Sequence, residues 1–300
     1  MSVPSIYMSG GHILGSGGGV LAVNSSGGFG TPAYFNNFDA LTPGATAPFN
    51  TFNFATVSNA QSYDAPNSVI STVSNGSFNF GGAYALSTSI NPTVGNEVWF
   101  RIRLFFPTGF NFTAGGGPAA NALKFMRIDT MPTSSSSDHS HIDWYLLGGN
   151  STSVGGFDWI YEGSPSGGPG GTGWLFGGGS STALPSGIIR NQWQTWEVYY
   201  KLETTGAASI IRFWRDGTLI CDTSANIPSG VAQLPTIITG NSIYGAFGNP
   251  GGFMWSTYWN GGSPATQSAY CDDFTIYTSL TGAPTATDSH GNVFIGTGGP

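Results

Sequence analysis

A period of two runs through residues 97–106 and constrains the fold of this chain more than any other feature. Apolar side chains occupy every second position, and Glu97, Arg101 and Arg103 fall between them. This alternation is typical of a β-strand with one buried face, because successive side chains of a strand point to opposite sides of its sheet. The residues expected in the core are Val98, Phe100, Ile102 and Leu104.

Several other segments show the same alternation. Trp196 and Val198 repeat the pattern, and Phe274 lies in a further strand predicted over 270–277. More strands are predicted at 123–129, 142–147 and 157–161, and Asp216-Gly217 between two β-rich runs indicates a hairpin with a type I′ turn. No segment has a sustained helical period with caps. We therefore predict an all-β, two-sheet antiparallel jelly-roll sandwich.

Glycine distribution divides the chain into three parts. Residues 1–30 form a glycine-rich arm with short apolar patches, which we expect to order only against another subunit. Residues 31–280 hold all the predicted strands and form the jelly-roll domain. Residues 281–300 are rich in Gly, Pro and Thr and are predicted to be a tail on the surface.

The charge of the chain restricts its partners. The formal net charge is −7, and all eight lysines and arginines lie between Arg101 and Arg215, which argues against a nucleic-acid partner. No stretch approaches the roughly 20 apolar residues of a membrane span. The first residues have no signal-peptide pattern, so we expect synthesis in a cytosol. Cys221 and Cys271 are expected to be buried thiols, although a disulfide between them stays open.

The densest polar cluster lies at residues 138–143. On a strand, His139, His141 and Asp143 share a face, which is an arrangement that could ligate a metal. However, a serine-rich loop leads directly into this cluster, and a solvated loop entering a strand accounts for it equally well. We therefore predict neither a metal site nor a cofactor.

An aromatic segment near the C-terminus indicates carbohydrate binding. Trp255, Tyr258 and Trp259 are flanked by glycines, and aromatic rings stack on the C–H faces of sugars. Alternation places Tyr258 opposite the two tryptophans. We predict that the ring of Trp259 is free to stack on a sugar, with Arg127 and Asp143 as polar partners beside it.

Three segments resemble the concanavalin A-like jelly rolls of certain polysaccharide lyases, the glucuronan and alginate lyase-like group. They are 97–112 with the following Lys124, then 193–198 leading to 213–217, and finally 253–262 with 270–274. The chain departs from that family after Lys124, where Phe125-Met126-Arg127 replaces a Leu-Pro-Gly corner.

This resemblance implies a candidate catalytic set. A lyase neutralises a uronate carboxylate and abstracts the C5 proton, which requires a cation or amide and a Tyr, His or Lys base. The resemblance implies Lys124, Arg127, His141 and Tyr145 for these roles. Against this activity, a chain with net negative charge and few cations is poorly suited to a polyanionic substrate.

The low charge, the glycine-rich arm and the Ser/Thr/Asn-rich loops also resemble phage virion proteins, such as capsid decoration proteins and tail-fibre lectin domains. The first hypothesis is therefore a non-catalytic virion surface protein that docks to coat subunits, assembles with other copies of itself and binds glycans. The second hypothesis is a polysaccharide lyase acting by β-elimination. The third is a lectin-like module of a bacterial surface.

Overall fold

The computed structural model describes most of the predicted jelly-roll domain. The described residues are 30–49, 52–85, 96–112, 123–130, 140–150, 153–163, 173–174, 189–201, 210–222, 232–233, 252–259 and 261–296. Residues 1–29 of the predicted arm lie outside them, as does His139. None of the described residues forms a helix that is long and apolar enough to cross a bilayer.

All regular structure in the described residues is β. The strands are β1 (Tyr34–Asn36), β2 (Phe52–Asn53), β3 (Ala55–Ser58), β4 (Ser68–Val73), β5 (Gly82–Ala85), β6 (Glu97–Phe105), β7 (Leu123–Thr130), β8 (Ser140–Asn150), β9 (Ser153–Gly163), β10 (Gly173–Trp174), β11 (Trp193–Lys201), β12 (Ile210–Arg215), β13 (Thr218–Asp222), β14 (Ala232–Gln233), β15 (Gly252–Trp259), β16 (Gln267–Tyr277), β17 (Ala286–Thr287) and β18 (Val293–Phe294).

Two large sheets form the sandwich. The nine-stranded sheet has the order β14-β13-β12-β11-β6-β16-β4-β3, and β1 adds to β16. The seven-stranded sheet has the order β10-β9-β8-β7-β15-β5-β2, and β17 and β18 form a separate hairpin. Every strand pair is antiparallel except β13 with β14. The predicted all-β antiparallel jelly-roll is therefore confirmed.

The inner faces of the two sheets share one core. Phe100 on β6 stacks on Phe253 of β15, with 5.0 Å between ring centroids, and Phe253 also stacks on Phe274 of β16 at 5.5 Å. All seven residues predicted for the core are buried, with at most 1% of their surface exposed: Val98, Phe100, Ile102, Leu104, Trp196, Val198 and Phe274.

The prediction that the strand at residues 97–106 has a single buried face is wrong. Trp99, Arg101, Arg103 and Phe105 are buried as well, although they point away from the main core. A second layer over the nine-stranded sheet, in which Phe294 stacks on Trp214 with 5.6 Å between ring centroids, covers Trp99 and Arg101. Arg103 lies against the ring of Tyr63, and Phe105 contacts the rings of Trp193 and Tyr270. A period of two in the sequence indicates a strand with one buried face only where no other part of the protein covers its second face.

Residues near the C-terminus make that second layer. Phe294 and Ile295 are buried with Trp99 and Trp214 in a second apolar cluster. Asp288 accepts a hydrogen bond of 2.8 Å from the indole Nε1 of Trp214. The segment predicted as a surface tail therefore packs on the sheet through residue 296.

The predicted hairpin is confirmed. Asp216 and Gly217 both have positive φ, at 49° and 78°, as a type I′ turn requires.

The two cysteines are predicted to be buried thiols. Cys271 is buried and free, and burial raises its pKa well above the usual value. The side chain of Cys221 lies outside the described part of the structure.

Candidate functional site

The outer face of the seven-stranded sheet brings the candidate residues together. On β7, Leu123, Met126 and Ile128 are fully buried in the core, whereas Lys124 and Arg127 are half-buried on the opposite face. Lys124 and Arg127 are three residues apart, and simple alternation places such residues on opposite faces.

A register shift explains why they share a face. The pairing of β7 with β8 is irregular between Lys124 and Met126, so that Phe125 is an extra residue in β7. Such a β-bulge changes the facing of all residues that follow it. Lys124 and Arg127 therefore both lie on the outer face of the sheet.

Pairing with β8 completes the set implied by the lyase resemblance. Lys124 is the direct cross-strand partner of Tyr145, and Arg127 is the partner of Asp143. His141 lies two positions from Asp143 on the same strand, opposite Asp129 of β7. Direct partners in an antiparallel pair share a face, with Cβ atoms about 5 Å apart. The register thus places Tyr145, Asp143 and His141 of β8 at the positions opposite Lys124, Arg127 and Asp129 of β7.

β15 adds an aromatic ring to this face. Tyr258 is the cross-strand partner of Lys124 on the side away from β8, and 36% of its surface is exposed. The Nζ atom of Lys124 lies 5.7 Å from the centroid of the Tyr258 ring. A row of residues therefore crosses the strands in the order Tyr145, Lys124, Tyr258, and an isolated bridge extends it to Asn79.

The prediction that Trp259 offers a free ring is wrong. Trp259 has no exposed surface, and its ring stacks on Phe110 in the core with 6.3 Å between centroids. Arg127 lies on the opposite face of the sheet, so it is not beside that ring. The predicted alternation itself is correct, because Trp255 is also buried and Tyr258 is the exposed member of the three.

Sequence reasoning missed Phe54 and Phe78 at the edge of this face. The ring of Phe78 stacks on that of Tyr258 at 5.5 Å with an interplanar angle of 22°, and both phenylalanines are 44% exposed. No local signal identified Phe78, because alternation places it on the same side as Phe80, which is fully buried, whereas Phe78 is exposed.

A cluster of aspartates lies elsewhere, on the nine-stranded sheet. The carboxylates of Asp64, Asp272 and Asp273 lie within 4.8 Å of one another. Burial raises the pKa of Asp272 to about 9, so this group holds its proton at neutral pH. Arg103 forms an ion pair of 2.7 Å with Asp273, which balances the charge of that carboxylate.

Comparisons with known proteins concern the fold. No family model matches the chain, and no curated protein matches it in sequence. Similar solved structures include alginate lyase Aly36B, with 12% identity over 83% of this chain and 98% of that enzyme, at a TM-score of 0.51.

Two more similar structures are a variant of the same enzyme and a glucuronan lyase. A doubly substituted variant of Aly36B in complex with an alginate tetrasaccharide has 13% identity and a TM-score of 0.52, over 83% of this chain and 98% of its own. The endo-β-1,4-glucuronan lyase of the fungus Trichoderma reesei has 10% identity and a TM-score of 0.49, over 83% and 97%. The likeness to Aly36B supports the same jelly-roll fold for this chain.

Proposed function

We propose that this chain binds a uronate-containing glycan on the outer face of the seven-stranded sheet and cleaves it by β-elimination. The observation that carries the proposal is the direct pairing of Lys124 with Tyr145, with Arg127 on the same face. Lys124 and Arg127 are cations and Tyr145 carries a phenol. The three positions lie within the length of two sugar units.

The chemistry assigns a role to each group. A base removes the proton from C5 of the uronate, the bond between C4 and O4 breaks, and a C4=C5 double bond forms. The leaving O4 takes up a proton and departs as a hydroxyl. Lys124 and Tyr145 are the two proton-transfer groups in this proposal. Arg127 cannot act as a base, because a guanidinium stays protonated, and it neutralises the uronate carboxylate with His141 beside it.

The structural neighbours support this assignment. Aly36B is an alginate lyase, and the variant that holds the alginate tetrasaccharide has one lysine and one tyrosine replaced by alanine. The same two residue types are paired on the sheet face of this chain.

The test measures the ultraviolet absorbance of unsaturated uronic-acid products, with alginate and polyglucuronate as substrates. We expect Lys124→Ala and Tyr145→Phe each to lower the rate at least about 100-fold, which is a common contribution of a general acid or base. The chain has one other lysine, Lys201 on β11 of the nine-stranded sheet, so Lys201→Ala is the matched control and keeps the wild-type rate. An unchanged rate in Lys124→Ala contradicts the assignment.

The non-catalytic virion role stays a hypothesis and uses the same face. In that case the face holds a glycan without cleaving it, and the chain docks to coat subunits. Binding of a uronate glycan with no rise in absorbance, together with co-purification of the chain with virus particles, favours this role over the lyase.

A further inference from the structure

On the β15 side of Lys124, the row continues with uncharged residues and aromatic rings. The next residue along the row is Tyr258, and its ring forms a nearly parallel stack with Phe78. Phe54 lies between β2 and β3, where the chain passes from one sheet to the other. It is exposed and lines the same cleft as Phe78 and Tyr258. Three exposed aromatic rings therefore continue the row of Tyr145 and Lys124 toward one edge of the sandwich.

These rings border a cleft of about 640 Å³. It is lined by Phe54, Thr72, Ser74, Ser77, Asn79 and Tyr258, with Phe78 and backbone groups. None of these lining residues carries a charge. Aromatic faces, hydroxyls and an amide are the groups that bind the C–H face and the hydroxyls of an uncharged sugar. A uronate in this cleft would lose solvation around its carboxylate, and no residue that lines the cleft would form an ion pair with it.

The spacing also fits successive sugar units of one glycan. Neighbouring strands are about 4.8 Å apart, which is comparable with the length of one hexopyranose unit. A glycan that crosses the strands therefore places one unit near Lys124 and Arg127 and the next near Tyr258 and Phe78.

We infer that the cleft is a binding subsite for a neutral hexose, so that the substrate alternates uronate with uncharged sugars rather than being a polyuronate. This inference rests on the proposed function, because it takes Lys124 and Arg127 as the uronate subsite. It also accounts for a chain with net charge −7 acting on an acidic glycan, since a mixed glycan has a lower charge density and is repelled less than a polyuronate.

Two probes that share the same uronate test it. Deacylated gellan tetrasaccharide places one glucuronate between neutral hexoses, and a polyglucuronate tetrasaccharide has glucuronate at every position. Titration calorimetry on the whole chain is expected to show at least about fivefold tighter binding of the gellan fragment, which corresponds to about 1 kcal/mol. Equal or tighter binding of the polyglucuronate fragment overturns the inference and leaves the proposed function standing. If neither fragment binds and neither alginate nor polyglucuronate is cleaved, the proposed function fails with it.

The variant Phe78→Ala tests the contribution of this subsite alone. Phe78 is exposed, and we expect this change to remove the preference for the gellan fragment while affinity for polyglucuronate stays the same. Tyr63→Ala is the matched control, because Tyr63 is 47% exposed and lines neither this cleft nor the Lys124 row. A Phe78→Ala chain that keeps the full preference overturns the inference. Thermal melting of each variant confirms that it is folded.

Discussion

Lys124 and Arg127 lie on one face of the sheet only because β7 contains an extra residue, Phe125, between them. A regular strand would place one of them in the core and would separate the two cations of the candidate site. The bulge therefore places both cations of β7 on the outer face, where the proposed glycan site lies, while Leu123 and Met126 stay buried.

Neighbouring residues of β15 are expected to respond oppositely to substitution. Trp259→Ala should lower the free energy of unfolding by roughly 3–5 kcal/mol, because it leaves a cavity in the core. Tyr258→Ala should cost less than about 1 kcal/mol, because the ring is partly exposed, and should weaken glycan binding severalfold. Urea denaturation and calorimetry measure the two effects. A stable Trp259→Ala chain that has lost glycan binding would instead restore Trp259 as a binding residue.

Glu197 should make the fold less stable as the pH rises. Burial raises the pKa of Glu197 to about 8 from 4.5, despite hydrogen bonds from the backbone N–H groups of Ile295 and Gly296 and the charge of Arg101. Between pH 4.5 and pH 8 the folded chain thus binds a proton that the unfolded chain has lost, so the free energy of unfolding falls as the pH rises.

The variant Glu197→Gln removes this titration. Its free energy of unfolding should vary less with pH across the same window, and the difference from the wild-type slope is at most about 1.4 kcal/mol per pH unit. Chemical denaturation at several pH values measures it. Equal slopes in the two proteins would show that Glu197 is charged in the folded state at neutral pH.

Asp288 should have the opposite effect. Burial alone would raise its pKa, but hydrogen bonds from Trp214, Asn292 and His290 outweigh this and hold the pKa below the usual value of 3.8. Its contribution to stability is therefore present above pH 3.8 and is lost as the pH falls through the folded pKa. Asp288→Asn should lower the melting temperature at neutral pH and reduce the loss on acidification. A variant that melts like the wild type at neutral pH would show that the Trp214 bond adds nothing.

The arm remains a prediction about assembly. Deleting residues 1–30 should leave the melting temperature nearly unchanged, because this glycine-rich segment carries only scattered apolar residues. The same deletion should abolish association with other subunits, measured by light scattering. Unfolding of the truncated chain would show that the arm is part of the core.

The sequence predicted the strands well because their signal is local. Alternation at Val98, Phe100 and Trp196 depends only on which face of the strand meets the core, and each of these residues is buried. The second buried face of β6 could not be predicted, because Trp99 and Arg101 are covered by residues near 294, almost two hundred positions later, and Arg103 by Tyr63. No local pattern reports a contact of that range.

The residues of the candidate site could be proposed from the sequence, but their geometry could not. Lys124 and Tyr145 could be named from a family resemblance, but their pairing depends on the register of β7 with β8 and on the bulge at Phe125. The choice of Trp259 over Tyr258 failed for a related reason. Glycines beside a tryptophan do not indicate whether its ring packs inward, and here Phe110 covers it.

The arrangement of the two sheets has a consequence for how such a protein diverges. Substitutions on the nine-stranded sheet meet packed neighbours on both sides, because Arg101, Glu197 and Trp214 are held by the C-terminal segment. Lys124 and Tyr258, in contrast, belong to neither apolar cluster. If the proposed function holds, substitutions at Lys124 and Tyr258 change the glycan preference of related chains at little cost in stability, because neither side chain is part of a core cluster.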